Sequence, residues 1–144
     1  MEMTLEQVPE CTKVKILSIR DSIIRNRILG LGIVPGCIVE VIRTSPLGDP
    51  RMYKVFNKMV SLRNSEAKII EVSLIDESIP LIFASDGEYE VVELCGGRMF
   101  RRKMELLGVY VGKEISVING NIKLNDEVIN MGDGMKKKII LRRL

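Results

Sequence analysis

One stretch of this chain occurs twice, and that repetition limits what the chain can fold into more than any other feature. Residues 24–36 read Ile-Arg-Asn-Arg-Ile-Leu-Gly-Leu-Gly-Ile-Val-Pro-Gly. Ile24, Ile28 and Leu31 fall at i, i+4 and i+7, which predicts one buried face of a short helix, with Gly32 as its stop. Pro35 presets φ for the second position of a β-turn, and Gly36 supplies the positive φ that the third position of a type II turn needs. A strand then starts at Cys37. Some 76 residues further on, Phe100, Met104 and Leu107 occupy the three helical positions, Gly108 falls on Gly32 and Gly112 on Gly36. Such self-similarity predicts two structural units within the 144 residues, rather than the single domain that length alone would suggest. A unit of this size buries only about 60% of its unfolded surface, so each is expected to be marginal alone.

Around the repeated helix the chain reads as short strands. Thr4 and Gln7 have capping-box spacing, and Pro9 ends that first turn early. Val14, Ile16 and Ile19 predict a strand whose alternation breaks after Ile16, consistent with a bulge. A strand to about Arg43 follows, then a Ser45–Pro50 tip whose prolines and glycine exclude regular structure. Two further strands cover residues 52–56 and 58–62, Asn64 or Ser65 caps one helical turn, and residues 68–72 close the unit. That makes five strands. The composition shift at 74–80 marks a linker, so the expected domains are residues 1–75 and 81–144. In the second, Asn119-Gly120-Asn121 replaces the long tip with a tight hairpin. A strand, a short helix and four strands in so few residues form too much sheet for an open layer. Mainly β structure follows, as two tandem small SH3-like barrels with the OB-fold as the alternative.

No apolar run reaches the roughly 18 residues needed to span a bilayer, and the first residues lack a signal peptide's basic and apolar regions. A cytoplasmic location is expected. Cys11, Cys37 and Cys95 are isolated and odd in number, which argues against a disulfide framework and for reduced thiols. The sequence contains no histidine, so the commonest metal ligand and the commonest neutral-pH acid–base group are both missing. No catalytic residues and no metal ligands are assigned. The cysteines do not recur between repeats, and no phosphate-binding glycine loop is present.

With the residues laid out, the chain resembles the ferrous iron transport protein A (FeoA) family over both repeats. The resemblance rests on Lys13-Val-Lys-Ile16, on Arg25 to Gly36, on the Pro46-Leu-Gly48 tip and on Leu62-Arg-x-x-Glu-Ala67. Repeat two keeps Gly96-Gly97, Arg101-Arg102, Leu107-Gly108 and Gly112 but has Val111 at the proline position. The resemblance implies a non-enzymatic SH3-like accessory protein acting on the cytoplasmic part of a membrane ferrous iron transporter, and weak binding of Fe(II) or another divalent transition metal. Because a similar domain ends the iron-dependent repressors, the alternative is a metal-sensing or nucleic-acid-associated accessory module. The absence of a helix-turn-helix favours the first.

Candidate surfaces are few. Arg98, Arg101, Arg102 and Lys103 form one basic cluster, and Lys136–Lys138 with Arg142 and Arg143 another. Nearby carboxylates and a net charge of only +3 disfavour nucleic acid as partner. At 100° per residue, Leu29 points about 130° from the stripe's centre, toward solvent, where repeat two has Glu105. Arg25, Leu29, Arg101 and Arg102 are therefore the expected partner-binding residues, with the transporter or a second copy of the chain as partner. Gly32, Pro35, Gly36, Gly108 and Gly112 are expected to shape turns and caps.

Overall fold

Alternating β-branched residues build two six-stranded antiparallel sheets, one in each of two compact units, residues 1–75 and 76–144. The computed structural model describes all residues, Met1–Leu144. The first unit comprises β1 (Glu2–Thr4), a 3-10 turn (Leu5–Gln7), β2 (Lys13–Ile19), α1 (Arg25–Gly30), β3 (Ile38–Thr44), β4 (Arg51–Val55), β5 (Lys58–Leu62), α2 (Asn64–Ala67) and β6 (Ile70–Leu74). The second comprises β7 (Ile79–Pro80), a 3-10 turn (Leu81–Phe83), β8 (Gly87–Leu94), α3 (Arg98–Leu106), β9 (Glu114–Ile118), β10 (Asn121–Leu124), β11 (Glu127–Ile129), α4 (Asp133–Lys136) and β12 (Ile139–Arg143).

The strand orders, β1-β6-β2-β3-β4-β5 and β7-β12-β8-β9-β10-β11, are the same topology written twice. The fold class is mainly β and SH3-like, with a short helix after the first long strand of each unit. Each sheet has one strand more than the five counted from sequence. β1 and β7 are three and two residues long, too short to show a period, and each adds an edge by pairing with the unit's last strand. For the same reason Ile79 and Pro80, assigned to the linker, belong to the second sheet.

The alternation break after Ile16 is a β-bulge: the β2–β6 register slips between Ile16 and Ser18. In the second unit the slip lies between the partners of Ile140 and Leu141, which skips Val92. Each bulge turns the long strand so that both of its ends contribute inward side chains. The core of the first unit is Leu5, Val14, Ile16, Ile28, Ile33, Val39, Val41, Tyr53, Leu62 and Ile70, all nearly inaccessible. The second unit buries Leu81, Tyr89, Val91, Met104, Val109, Ile115, Ile122 and Ile139. At about 1.5–3 kcal/mol for each large apolar side chain, this burial is the main force favouring each sheet's curvature around its helix.

The helical stripe differs from expectation at its last position. Leu31 and Leu107 are 37% and 41% exposed, and the adjacent core places are taken by Ile33 and Val109. The cause is the helix length. α1 and α3 stop at Gly30 and Leu106, and the chain then reverses through Gly32 (φ +92°) and Gly108 (φ +88°). Gly108 N–H donates to Glu105 O at 3.0 Å and Val109 N–H to Met104 O at 2.8 Å, the paired bonds of a Schellman cap. The reversal swings the residue after the glycine back onto the core, a position that extrapolation at 100° per residue assigned to the leucine. Gly36 and Gly112 also have positive φ, +93° and +95°, and each donates its N–H to the facing strand, at Ile16 O and Val91 O.

Candidate partner-binding surfaces

The first unit's helix presents less than its sequence suggests. Arg25 opens α1, is half-buried, and donates through Nε to Ile19 O at 3.2 Å, which ties the helix to the end of β2. Leu29 is half-buried and packs against the first core, contrary to the outward direction inferred from the stripe. Arg27 pairs with Glu66, the third residue of α2. Across the sheet, Arg20 Nε bonds Glu71 at 2.8 Å, and that hydrogen bond holds the exposed carboxyl below its usual range. An exposed pair of this kind contributes little to stability.

The hairpin tip is built to stand out. Gly48 N–H donates to Ser45 O at 2.8 Å and Ser45 N–H to Pro50 O at 3.1 Å, closing the loop on itself. Asn64 braces it, donating its side-chain amide to Gly48 O at 3.0 Å and its backbone N–H to Asp49 Oδ1 at 2.9 Å. Leu47, at the apex, is 96% exposed. Pro46-Leu-Gly48 is legible in the sequence as a hairpin tip and as a motif of the resemblance; its signal as a surface is an apolar residue between two turn formers.

In the second unit α3 is one turn longer than α1, starting at Arg98 behind Gly96 and Gly97. A Cβ on Gly96 would lie 2.5 Å from the Phe100 ring, so glycine there lets that ring fold down beside the chain. Arg98, Arg101 and Arg102 line an open cavity of about 620 Å³ with Glu105 and the two glycines. None of the three arginines has a carboxylate within salt-bridge distance. Three members of the other basic cluster are engaged internally: Arg142 pairs with Glu90, Arg143 reaches Asp76 at 3.3 Å and covers the Tyr89 ring, and Lys138 lies 5.3 Å from the Phe100 ring centre. Of the expected partner residues, Arg101 and Arg102 therefore share one open face of one helix, whereas Arg25 and Leu29 are engaged in holding the first unit together.

For metal, Cys37 is a free thiol, buried at 8% exposure and directed at Gly32 O at 3.8 Å. The expectation of reduced thiols fails at Cys11 and Cys95, which are disulfide-bonded. An odd count excludes a complete framework but not a bond. The chain has no group of three or more Cys, Asp or Glu residues placed to hold an ion, and no helix is long and apolar enough to cross a membrane.

Comparison with known proteins bears on what such surfaces serve. Residues 3–74 match the FeoA domain. The solution structure of iron(II) transport protein A from Clostridium thermocellum is 36% identical, covering 99% of this chain and 88% of that one, with a TM-score of 0.59. A FeoA-like protein from Clostridium acetobutylicum is 35% identical over 51% of this chain and 87% of its own, with a TM-score of 0.50. The Fe(2+) transport protein A/Fe(2+) transporter FeoB fusion protein of Porphyromonas gingivalis is 41% identical over 56 residues. That segment is 39% of this chain and 7% of the fusion protein, so the chain corresponds to a small part of that relative's length. On the family match to its first half and on 36% identity with the Clostridium thermocellum protein across 99% of the chain, the chain belongs to the FeoA domain family, which is associated with ferrous iron transport.

Proposed function

We propose that the protein is a non-enzymatic, cytoplasmic accessory protein of ferrous iron uptake that acts by binding the cytoplasmic part of a membrane ferrous iron transporter. The observation that carries this reading is the fusion protein. A relative whose single polypeptide is named for both a transport protein A and a transporter keeps the two at high effective concentration, which is useful when they work in contact. We further propose that both units are FeoA-like domains in tandem, supported by the identical strand orders and by glycine-capped helices at equivalent places. In this reading iron is cargo of the transporter, and the protein contributes a surface.

The surface proposed is the open face of α3 around Arg101 and Arg102, whose uncompensated charge suits an acidic patch on the partner. Capture of the transporter from detergent-solubilised membranes by the immobilised full chain tests both statements. Wild-type protein is expected to retain the transporter, and Arg101→Glu with Arg102→Glu to lose most of it. No capture by the wild type refutes the adaptor function, and full capture by the variant refutes the surface.

A further inference from the structure

The outward ridge of α3 has a composition the fold does not require. Met99, Arg102, Lys103 and Leu106 stand at i, i+3, i+4 and i+7, one stripe along the helix, on the side away from buried Met104. Met99 is 88% exposed and Leu106 81%, so two large apolar side chains lie almost wholly in water. Four cations, Arg98, Arg101, Arg102 and Lys103, share this nine-residue helix with one carboxylate, Glu105. At the equivalent places in the first unit stand Ile23, Asn26, Arg27 and Gly30. Only the first of these is a large exposed apolar residue, and Arg27 is paired with Glu66. The joining of apolar tips to unpaired cations is thus particular to the second unit.

We propose that this ridge is a membrane-contact surface that seats on anionic lipid, with Met99 and Leu106 entering the boundary between headgroups and acyl chains. Arg98, Arg102 and Lys103 then meet the lipid phosphates. The charge is complementary: three net positive charges on one helix face a surface whose negative potential attracts each cation. Shape points the same way. A ridge with an exposed apolar side chain at each end, Met99 and Leu106, and cations between them fits a fluid boundary that closes around the apolar tips. Lysine and arginine beside apolar side chains is also the layout of helices that lie in the membrane interface. The inference stands on the ridge alone and does not need the transporter to be the partner.

Sedimentation of the full chain with vesicles of phosphatidylcholine, and of phosphatidylcholine with about 30% phosphatidylglycerol, tests it. Wild-type protein is expected to sediment with the anionic vesicles and not with the neutral ones. Met99→Gln with Leu106→Gln is expected to weaken that binding about tenfold or more, because each apolar side chain loses its burial. Both positions are exposed and glutamine is a good helix former, so the melting curve of this variant should match the parent's. Absence of binding to anionic vesicles overturns the proposal. So does unchanged binding of the glutamine variant, which would reduce the effect to charge attraction alone. Capture of the solubilised transporter that depends on Met99 and Leu106, without vesicle binding, would assign the ridge to a protein partner instead. Retained capture by the glutamine variant leaves the adaptor reading standing whichever way the vesicles decide.

Discussion

Replacing Arg51 is expected to loosen the first unit at its N-terminal segment. The side chain is 6% exposed, at the start of β4, and its guanidinium reaches back to the chain's beginning. Nη1 donates to Glu6 O at 2.8 Å and Nη2 to Val8 O, and the group lies 5.5 Å from the Tyr53 ring centre. Arg51→Ala removes two hydrogen bonds from a charged donor, each worth about 1.5–3 kcal/mol, and leaves two carbonyls facing a void. Against this, the guanidinium is itself incompletely satisfied, since Nε has no partner, and removing a buried charge recovers part of its desolvation cost. The net loss is expected at about 2–4 kcal/mol, a large share of the roughly 4–11 kcal/mol that a unit of this length possesses. Arg51→Lys keeps the charge but not the fork, and should fall between the parent and Arg51→Ala. Urea denaturation followed by circular dichroism gives the difference, and hydrogen exchange at Leu5 to Val8 locates it. A loss below about 1 kcal/mol for Arg51→Ala, with exchange in that segment unchanged, would refute the idea that Arg51 staples the segment to the sheet.

Gly32→Ala and Gly108→Ala should each cost about 1 kcal/mol or more in denaturation midpoints, since both sit at positive φ where a Cβ is strained; an unaltered midpoint at either would show that the cap relaxes. The Tyr53 phenol is held above its ordinary value of 10.0 chiefly by burial, with Arg51 pulling the other way. The unfolded chain therefore ionises first. This contribution is whole below about pH 10 and is lost as pH rises toward the folded value, so Tyr53→Phe should flatten the alkaline limb of a stability-against-pH curve. Chelator treatment should leave the melting temperature where it is and release no stoichiometric metal by elemental analysis, because no ligand set exists to hold an ion.

Much of this was legible in the residues. The repeat announced itself through glycines whose backbone role no other residue fills easily, and the bulge near Ile16 through broken alternation. Legibility ended where geometry stops being local. Leu31 and Ile33 differ by two positions, and which of them is buried depends on the turn that the Gly32 cap imposes, not on helical spacing. The outward direction inferred for Leu29 also failed, because the first core reaches round to that side of α1 and half-buries it. The edge strand at Glu2–Thr4 was invisible because its pairing partner lies at 71–73, far along the chain. The candidate surface divided in the same way: the Arg101–Arg102 cluster was apparent as composition, but that its cations stay open while Arg142 and Arg143 are neutralised depended on tertiary pairing.

The two hairpins that follow the first bulged strand and helix differ in length, and that difference fixes a number. In the first unit Ser45–Pro50 carries Leu47 out into solvent, while in the second Asn119 and Gly120, both at positive φ, turn the chain in two residues and expose no apolar apex. A partner that grips the leucine tip finds one such grip per chain, and titration against it saturates at a single equivalent. A partner that reads the glycine-capped helices finds two, tethered within one polypeptide, and gains avidity from the second. Stoichiometry alone, read from one calorimetric titration, would therefore tell which part of the repeat is the working surface and which is scaffold.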